Sequence, residues 1–231
     1  MKIKIINIAL FLITVFGTLL GLSYMPDRVP VHFNGAGVAD RWGSKYELLI
    51  MPVIMAVMLG IWLICDRIYG KKAEFSIDEK ARAEALSNIK VINITFTSIF
   101  ALFLVLTAGV MYMSYSQLDS TAAEIDIMKI VTVAMGITFV IFGNFMPKSR
   151  LNSLVGFRLP WTMYNDVTWA KSNRFAGYVM IIAGLITAIS GIILGGMTSV
   201  IVMMIVLFAS IVPMMIYAYL VYTDEKKKAE K

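Results

Sequence analysis

The chain has 231 residues, 59% of them hydrophobic and 16% charged, with a formal net charge of +6 and a mean hydropathy of +0.78. Soluble domains are usually about 45–50% apolar and about 25% charged, so this composition excludes an ordinary water-soluble domain. One cysteine, Cys65, excludes an intramolecular disulfide, and one histidine, His32, excludes the HExxH zinc site of a metallopeptidase.

The hydrophobic residues fall in blocks of roughly 18–25, the length that crosses about 30 Å of hydrocarbon as a helix. A segment in lipid must satisfy its own backbone hydrogen bonds, so each block reads as a helix. The alternation of a membrane β-barrel is absent. The expected fold is therefore an all-α polytopic membrane protein with about six transmembrane helices. The Met1–Lys4 start followed by an apolar run resembles a signal peptide. That run is long, however, and Gly21-Leu22-Ser23-Tyr24 makes a poor small-residue cleavage site, so a retained first span is expected.

In chain order, span one is about Ile5 to Tyr24, and a polar connection follows to about Lys45. Span two is about Glu47 to Tyr69, and the connection from Gly70 to Lys90 is highly charged. Span three is about Val91 to Tyr115, and a short acidic connection leads to span four, about Ile127 to Met146. The longest connection runs from Pro147 to about Ala176. Span five is about Gly177 to Leu194, Gly195 to Ser199 reads as a tight turn, and span six is about Val200 to Tyr222 before a charged tail. Three regions follow: 1–69 with the first two spans and an outer cap, 70–126 with span three, and 127–231 with spans four to six.

With the N-terminus inside, seventeen of the twenty-one Lys and Arg residues lie on the inner side; only Arg28, Arg41, Lys45 and Lys129 lie outside. The positive-inside rule then places both termini in the cytoplasm. Two inner helix starts are expected: a capping box from Ser76 to Glu79, and a cap at Asn165 or Asp166 for a helix carrying Trp169 and Arg174 into span five. Gly17/Gly21 and Gly191/Gly195 have the spacing that lets helix backbones approach. Pro52 and Pro213 are candidate kinks.

No ionisable side chain lies at an expected midplane, which argues against a proton-driven pump or carrier. A GxSxG elbow, a Walker loop and paired midplane aspartates are absent, and no enzyme activity, cofactor or metal is expected. Asn93, Thr95, Thr97, Thr132, Thr138 and Asn144 are the notable polar residues within the spans. Read alone, they serve either interhelical hydrogen bonding or a polar cavity lining.

The outer connection is dense in turn formers and aromatics and reads as an ordered cap. There His32 serves a hydrogen bond within the cap, a contact with an external ligand, or a metal site with Asp27 and Asp40. The inner connection reads either as a positive-inside loop anchored by tryptophans or as a folded surface, with Trp161 and Trp169 as anchors and Arg158 and Arg174 as charge readers.

Together the two connections resemble the SdpI family of bacterial membrane proteins. The outer run carries Pro30, His32, Asn34, Gly37 and Asp40 at the positions of that family's N-terminal uncharacterised domain. The inner run matches the C-terminal signature at Gly143, Asn144, Pro147, Lys148, Asn152, Gly156, Arg158, Pro160, Trp161, Thr162, Trp169, Asn173, Arg174 and Gly177. Leu159 stands where the family often has threonine, and Asn173 where it often has histidine. The resemblance implies a multi-pass protein of the bacterial cytoplasmic membrane that gives immunity to a secreted peptide toxin of the sporulation-delaying (SDP) type. It also implies signalling, in which the toxin-bound protein holds a cytoplasmic autorepressor at the membrane; direct nucleic-acid binding is not expected. Candidate outer contacts are Pro30, His32, Asn34, Gly37, Asp40 and Arg41. Candidate inner partner contacts are Asn144, Lys148, Asn152, Arg158, Trp161, Thr162, Trp169, Asn173 and Arg174. The alternatives are a transporter or channel for a small ligand or peptide, and a receptor with no immunity role.

Overall fold

A computed structural model describes residues 2–35, 39–116 and 126–231. Helix α1 (Lys2–Ser23) leads into a hairpin of β1 (Arg28–Phe33) and β2 (Ala39–Ser44). A 3₁₀ turn (Lys45–Leu49) then opens α2 (Ile50–Phe75), and α3 (Glu79–Ser116), α4 (Ile127–Phe145), α5 (Asp166–Leu194) and α6 (Gly196–Ala229) follow. Among the described residues six helices are long and apolar enough to cross a membrane. The short acidic connection before span four, and Gly37 in the cap, lie outside the described residues.

The helices run past the expected spans because polar residues, not the hydrocarbon limit, set their ends. The good helix formers after Glu79 continue without a break into span three. The cap is not Ser76. Ser76 Oγ donates back to the Lys72 carbonyl at 2.5 Å and closes α2. The carboxylate of Asp78 accepts from the amides of Lys80 (3.2 Å) and Ala81 (3.1 Å) and opens α3. At α5, Asn165 forms the expected cap: its side chain accepts from Thr168 N at 2.8 Å, while the Thr168 hydroxyl accepts from Asn165 N at 3.0 Å. The five-residue turn expected after span five shrinks to Gly195 (φ +62°) and Gly196 (φ +46°), a left-handed pair that glycine adopts without strain. The charged tail expected after Tyr222 is helix as far as Ala229, tied by Lys228 to Asp224 (2.6 Å) and Glu225 (3.0 Å). Pro52 sits in the first turn of α2, where its missing N–H breaks no helix bond.

Two groups of three helices result, α1–α2–α3 and α4–α5–α6, joined by α3 against α4. The first packs around Met55, Trp62, Ile92, Phe96 and Phe100, with Trp62 edge-on to Phe100. Inside it the Trp62 indole donates to Asn93 Oδ1 (2.7 Å), and the Thr97 hydroxyl reaches Asn7 Oδ1 (2.5 Å), so three helices share one buried polar chain. In the second group Thr132 meets Ser199 at 3.0 Å. These three contacts bear out interhelical bonding for Asn93, Thr97 and Thr132. Thr138 bonds within its own helix to Ala134 (2.8 Å).

The close backbone approach is not where Gly17 and Gly21 suggested. A Cβ at Gly17 would meet nothing within 4 Å. The tight contact is α4 on α5, where Gly136 faces Gly184 and Gly143 faces Gly177. A Cβ at Gly136 would lie 2.6 Å from the Gly184 carbonyl oxygen, and one at Gly143 would lie 2.5 Å from that of Gly177. Gly191 continues the same line against Val133.

Side-chain ties separate the bundle into two ends. Lys4 pairs with Asp66, Lys80 with Asp166 (3.5 Å) and Lys171 with Glu225 (3.4 Å) at one end. At the other, the hairpin tip brings Gly35 against Met197, and Gly196 N donates to Asp126 Oδ2 (2.7 Å).

Candidate functional site

At the hairpin end, β1 and β2 pair antiparallel, with irregularities between Pro30 and His32 and between His32 and Phe33. A lone hairpin is marginal in water, so its stability comes from docking. Val29 is fully buried beside Leu22, Met25 and Leu48, with Val110 and Met111 of α3 packed against them. Ser114 of α3 places its hydroxyl 2.7 Å from the Pro30 carbonyl. The turn after β2 is closed by a capping box in which Glu47 Oε1 accepts from Ser44 N (3.1 Å). Lys45 Nζ binds the Met25 carbonyl (3.1 Å) and Asp27 (3.3 Å), tying the end of the hairpin to its start.

Beneath the hairpin, between the start of α2 and the outer turns of α3, lies a cleft of about 540 Å³. Its walls are mainly apolar, from Val31, Leu48, Leu49, Met51, Val110 and Met111, with Thr107 and Tyr46 adding hydroxyls. Arg41 and Glu47 also line it, and they pair with each other at 3.0 Å. Concave, mostly apolar and carrying few polar groups, it has the make-up of a ligand pocket.

The structure distributes the six outer candidates unequally. Among the described ones, Arg41 alone lines the cleft. His32 and Asp40 pair through Nδ1 and Oδ1 at 2.6 Å and are both exposed. Pro30 is buried against α3, and Asn34 is exposed in the turn after β1. Gly37 lies outside the described residues. Asp27, the third member of the metal set, turns instead to Lys45, and among the described residues no three His, Cys, Asp or Glu side chains are placed to hold a metal ion. Sequence reading missed the α3 wall, because Thr107, Val110 and Met111 look like any apolar stripe at helical spacing.

At the opposite end, the loop from 149 to 165 is folded by buried polar side chains. Asn152 accepts from the amides of Leu154 (2.7 Å) and Val155 (2.8 Å) and donates to the carbonyls of Arg150 (2.7 Å) and Val155 (2.9 Å). Thr162 Oγ1 accepts from Leu159 N (2.8 Å), and Asn173 Oδ1 accepts from Phe157 N (2.7 Å). Trp169, 1% exposed, donates its indole N–H to the Ser149 carbonyl (3.0 Å). Gly156 (φ +119°) adopts a backbone only glycine tolerates, and a Cβ there would lie 2.8 Å from the Trp169 ring. From α3, Asn88 accepts from Arg150 N (2.8 Å) and Ser87 donates to the Lys148 carbonyl (2.6 Å).

The inner candidates therefore divide. Asn152, Thr162, Trp169 and Asn173 are buried and bonded to the loop backbone. Asn144, Lys148, Arg158 and Arg174 are exposed. Trp161 is half-buried, edge-on to Tyr219 at 5.9 Å. Lys148 lies over the Phe145 ring (4.1 Å), Arg174 donates to the Tyr178 hydroxyl (3.4 Å), and among the described residues no carboxylate pairs with either of them or with Arg158.

Comparison with known proteins matches both ends. Residues 148–218 match the SdpI/YfhL protein family, and residues 9–56, which span most of α1, the hairpin and the start of α2, match a domain of unknown function, DUF1648. The chain is 25% identical over 213 residues to the immunity protein SdpI of Bacillus subtilis (strain 168), covering 92% of each. It is 28% identical over 147 residues to an uncharacterized protein of Archaeoglobus fulgidus, covering 58% of this chain and 79% of that one. It is 29% identical over 82 residues to the uncharacterized protein YfhL of B. subtilis, covering 36% of this chain and 74% of that one. No solved structure matches. A folded loop carrying one family segment, a hairpin carrying the other and a likeness along nearly the whole of one relative meet in a single chain: this multi-pass cell-membrane protein is similar to the SdpI/YfhL family across its inner loop and last two helices.

Proposed function

We propose that the chain is a membrane immunity protein that captures a secreted apolar peptide toxin of the SDP type at its hairpin end, with that end facing outward and both termini in the cytoplasm. The cleft under the hairpin carries this reading. An apolar peptide harms a bilayer by entering it, and a protein that buries the peptide's anchoring side chains holds it out of the lipid. Each large aliphatic side chain moved from water into such a cleft contributes about 1.5–3 kcal/mol. A cleft of about 540 Å³ has room for a few of them. The likeness to an immunity protein along 92% of both chains supports the same role, and the excess of cations at the opposite end supports the orientation.

The test is survival of a toxin-sensitive bacterium challenged with SDP-type peptide while expressing the parent chain or Val110→Trp, which fills the cleft. The parent protects; the variant reaches the membrane in equal amount and does not. Protection by the variant moves the site elsewhere, and failure of the parent to protect sinks the reading.

The inner surface favours a signalling role beside protection. Arg158 on the loop, Lys148 just before it and Arg174 on α5 stand exposed, without carboxylate partners among the described residues, a surface suited to an acidic face of a cytoplasmic autorepressor. In this role Arg158→Ala abolishes toxin-induced expression from the repressed promoter and leaves survival intact. Induction that persists in that variant removes the residue from the signalling surface.

A further inference from the structure

From the open edge of β2 we infer how a peptide is held: an extended segment adds to the hairpin as a third strand, its alternate side chains entering the cleft. The inference rests on the peptide-capture reading above and adds the mode of recognition. Strand β1 is covered, because Val29 and Pro30 are buried against α3 and the Pro30 carbonyl is taken by Ser114. Strand β2 is not covered. Asp40, Arg41 and Trp42 are exposed, and among the described residues no backbone bond reaches β2 from any element other than β1.

The register tells which groups point outward. Pro30 faces Trp42 across the ladder. It has no N–H, and its carbonyl turns to Ser114, so the pair exchanges no ladder bonds. Trp42 therefore directs its own N–H and C=O at the free edge, and toward Asp40 the register shifts bound the regular stretch on that side. The next outward amide, Ser44, is already taken by Glu47. The open stretch is thus short, and only another extended backbone presents the alternating donors and acceptors that it needs.

The two faces of the hairpin set what such a strand carries. Val31 and Arg41 line the cleft on one face, while the His32–Asp40 pair occupies the other. The rim is nearly neutral, because Arg28, Arg41 and Lys45 balance Asp27, Asp40 and Glu47 in charge. A neutral rim over apolar walls fits uncharged apolar side chains at every second position and repels neither sign of charge beyond them.

The experiment uses the full chain in phosphatidylcholine nanodiscs and a short fluorescein-labelled peptide alternating valine and threonine. A second peptide is N-methylated at alternate residues, which removes the hydrogen-bonding edge and keeps the side chains. Binding is the anisotropy difference between loaded and empty discs. The plain peptide binds the parent, and N-methylation weakens it about tenfold, equivalent to about 1.4 kcal/mol. Trp42→Pro removes the outward N–H and weakens the plain peptide by a similar factor, while Trp42→Ala, which keeps that N–H, weakens it less than about threefold. Equal binding of the two peptides to the parent, or no protein-dependent binding, overturns strand addition. The methylated probe leaves the protein unchanged, so misfolding of the proline variant does not obscure the answer. Survival without peptide discrimination leaves immunity standing and removes strand addition; discrimination without survival does the reverse.

Discussion

The hairpin and the loop from 149 to 165 are both polar connections studded with aromatics, yet they use their polar side chains in opposite ways. In the hairpin the side chains meet each other at the surface: His32 with Asp40, Arg41 with Glu47, Lys45 with Asp27. In the loop they meet the backbone in the interior: Asn152, Thr162 and Asn173 supply the bonds that the irregular chain cannot make to itself. A buried amide left without a partner costs far more than an exposed ion pair contributes. The loop is therefore a rigid platform whose polar residues fold it, whereas the hairpin is held by apolar docking and keeps its polar groups free to exchange partners.

The largest effect expected belongs to neither connection but to the α4–α5 contact that supports the loop. Gly143→Leu drives a side chain into the Gly177 carbonyl, where no flexible group can yield. Overpacking typically costs about 1–3 kcal/mol, and more where backbone must separate. The variant should fail to accumulate in the membrane or melt well below the parent in detergent. Unchanged melting would mean that these helices do not approach as described.

Trp169→Ala comes next. It removes a fully buried indole and its bond to Ser149, with about 3–5 kcal/mol lost. Limited proteolysis should cut the loop in this variant and spare the hairpin. Cleavage at the hairpin first would show that the two ends are not independent.

Asn173→Ala leaves Phe157 N without its acceptor at a cost of about 1–3 kcal/mol. Amide exchange should rise at Phe157 and its neighbours. Asn173→His tests the same site in the opposite sense: a ring nitrogen able to accept from Phe157 N restores protection of that amide, and a variant as labile as Asn173→Ala would show that the contact is specific to the amide side chain.

How much of this was legible before the structure depends on range. Six spans, the helix running from Glu79 into span three and the cap at Asn165 all follow from hydrophobic length and local capping chemistry, which act within a few residues. Ser76 misled because serine and Asp78 both suit a cap, and only the end of α2 decides between them. The glycine contact was visible as a seven-residue spacing, Gly136/Gly143 and Gly177/Gly184, but the four-residue spacing of Gly17/Gly21 drew attention first. The split among signature residues was not legible. A conserved-looking Asn or Trp reads the same whether it faces a partner or its own backbone, and burial is a property of the fold. The cleft was out of reach for the same reason: its walls come from both hairpin strands, the turn after them, α2 and α3, and of the outer candidates only Arg41 is among the lining.

The smallest effect on stability belongs to the His32→Ala/Asp40→Ala double substitution. Both side chains are largely exposed, and an exposed pair contributes at most about 1 kcal/mol. The variant should melt with the parent and reach the membrane in equal amount. Its value is functional, because the pair lies on the hairpin face away from the cleft. Protection against the toxin that survives this substitution but not Val110→Trp places recognition on the cleft side of the sheet. Protection lost in both requires that the toxin contact both faces of the hairpin, as a strand added along β2 would do, with alternate side chains reaching His32 and Asp40 on one side and Arg41 on the other.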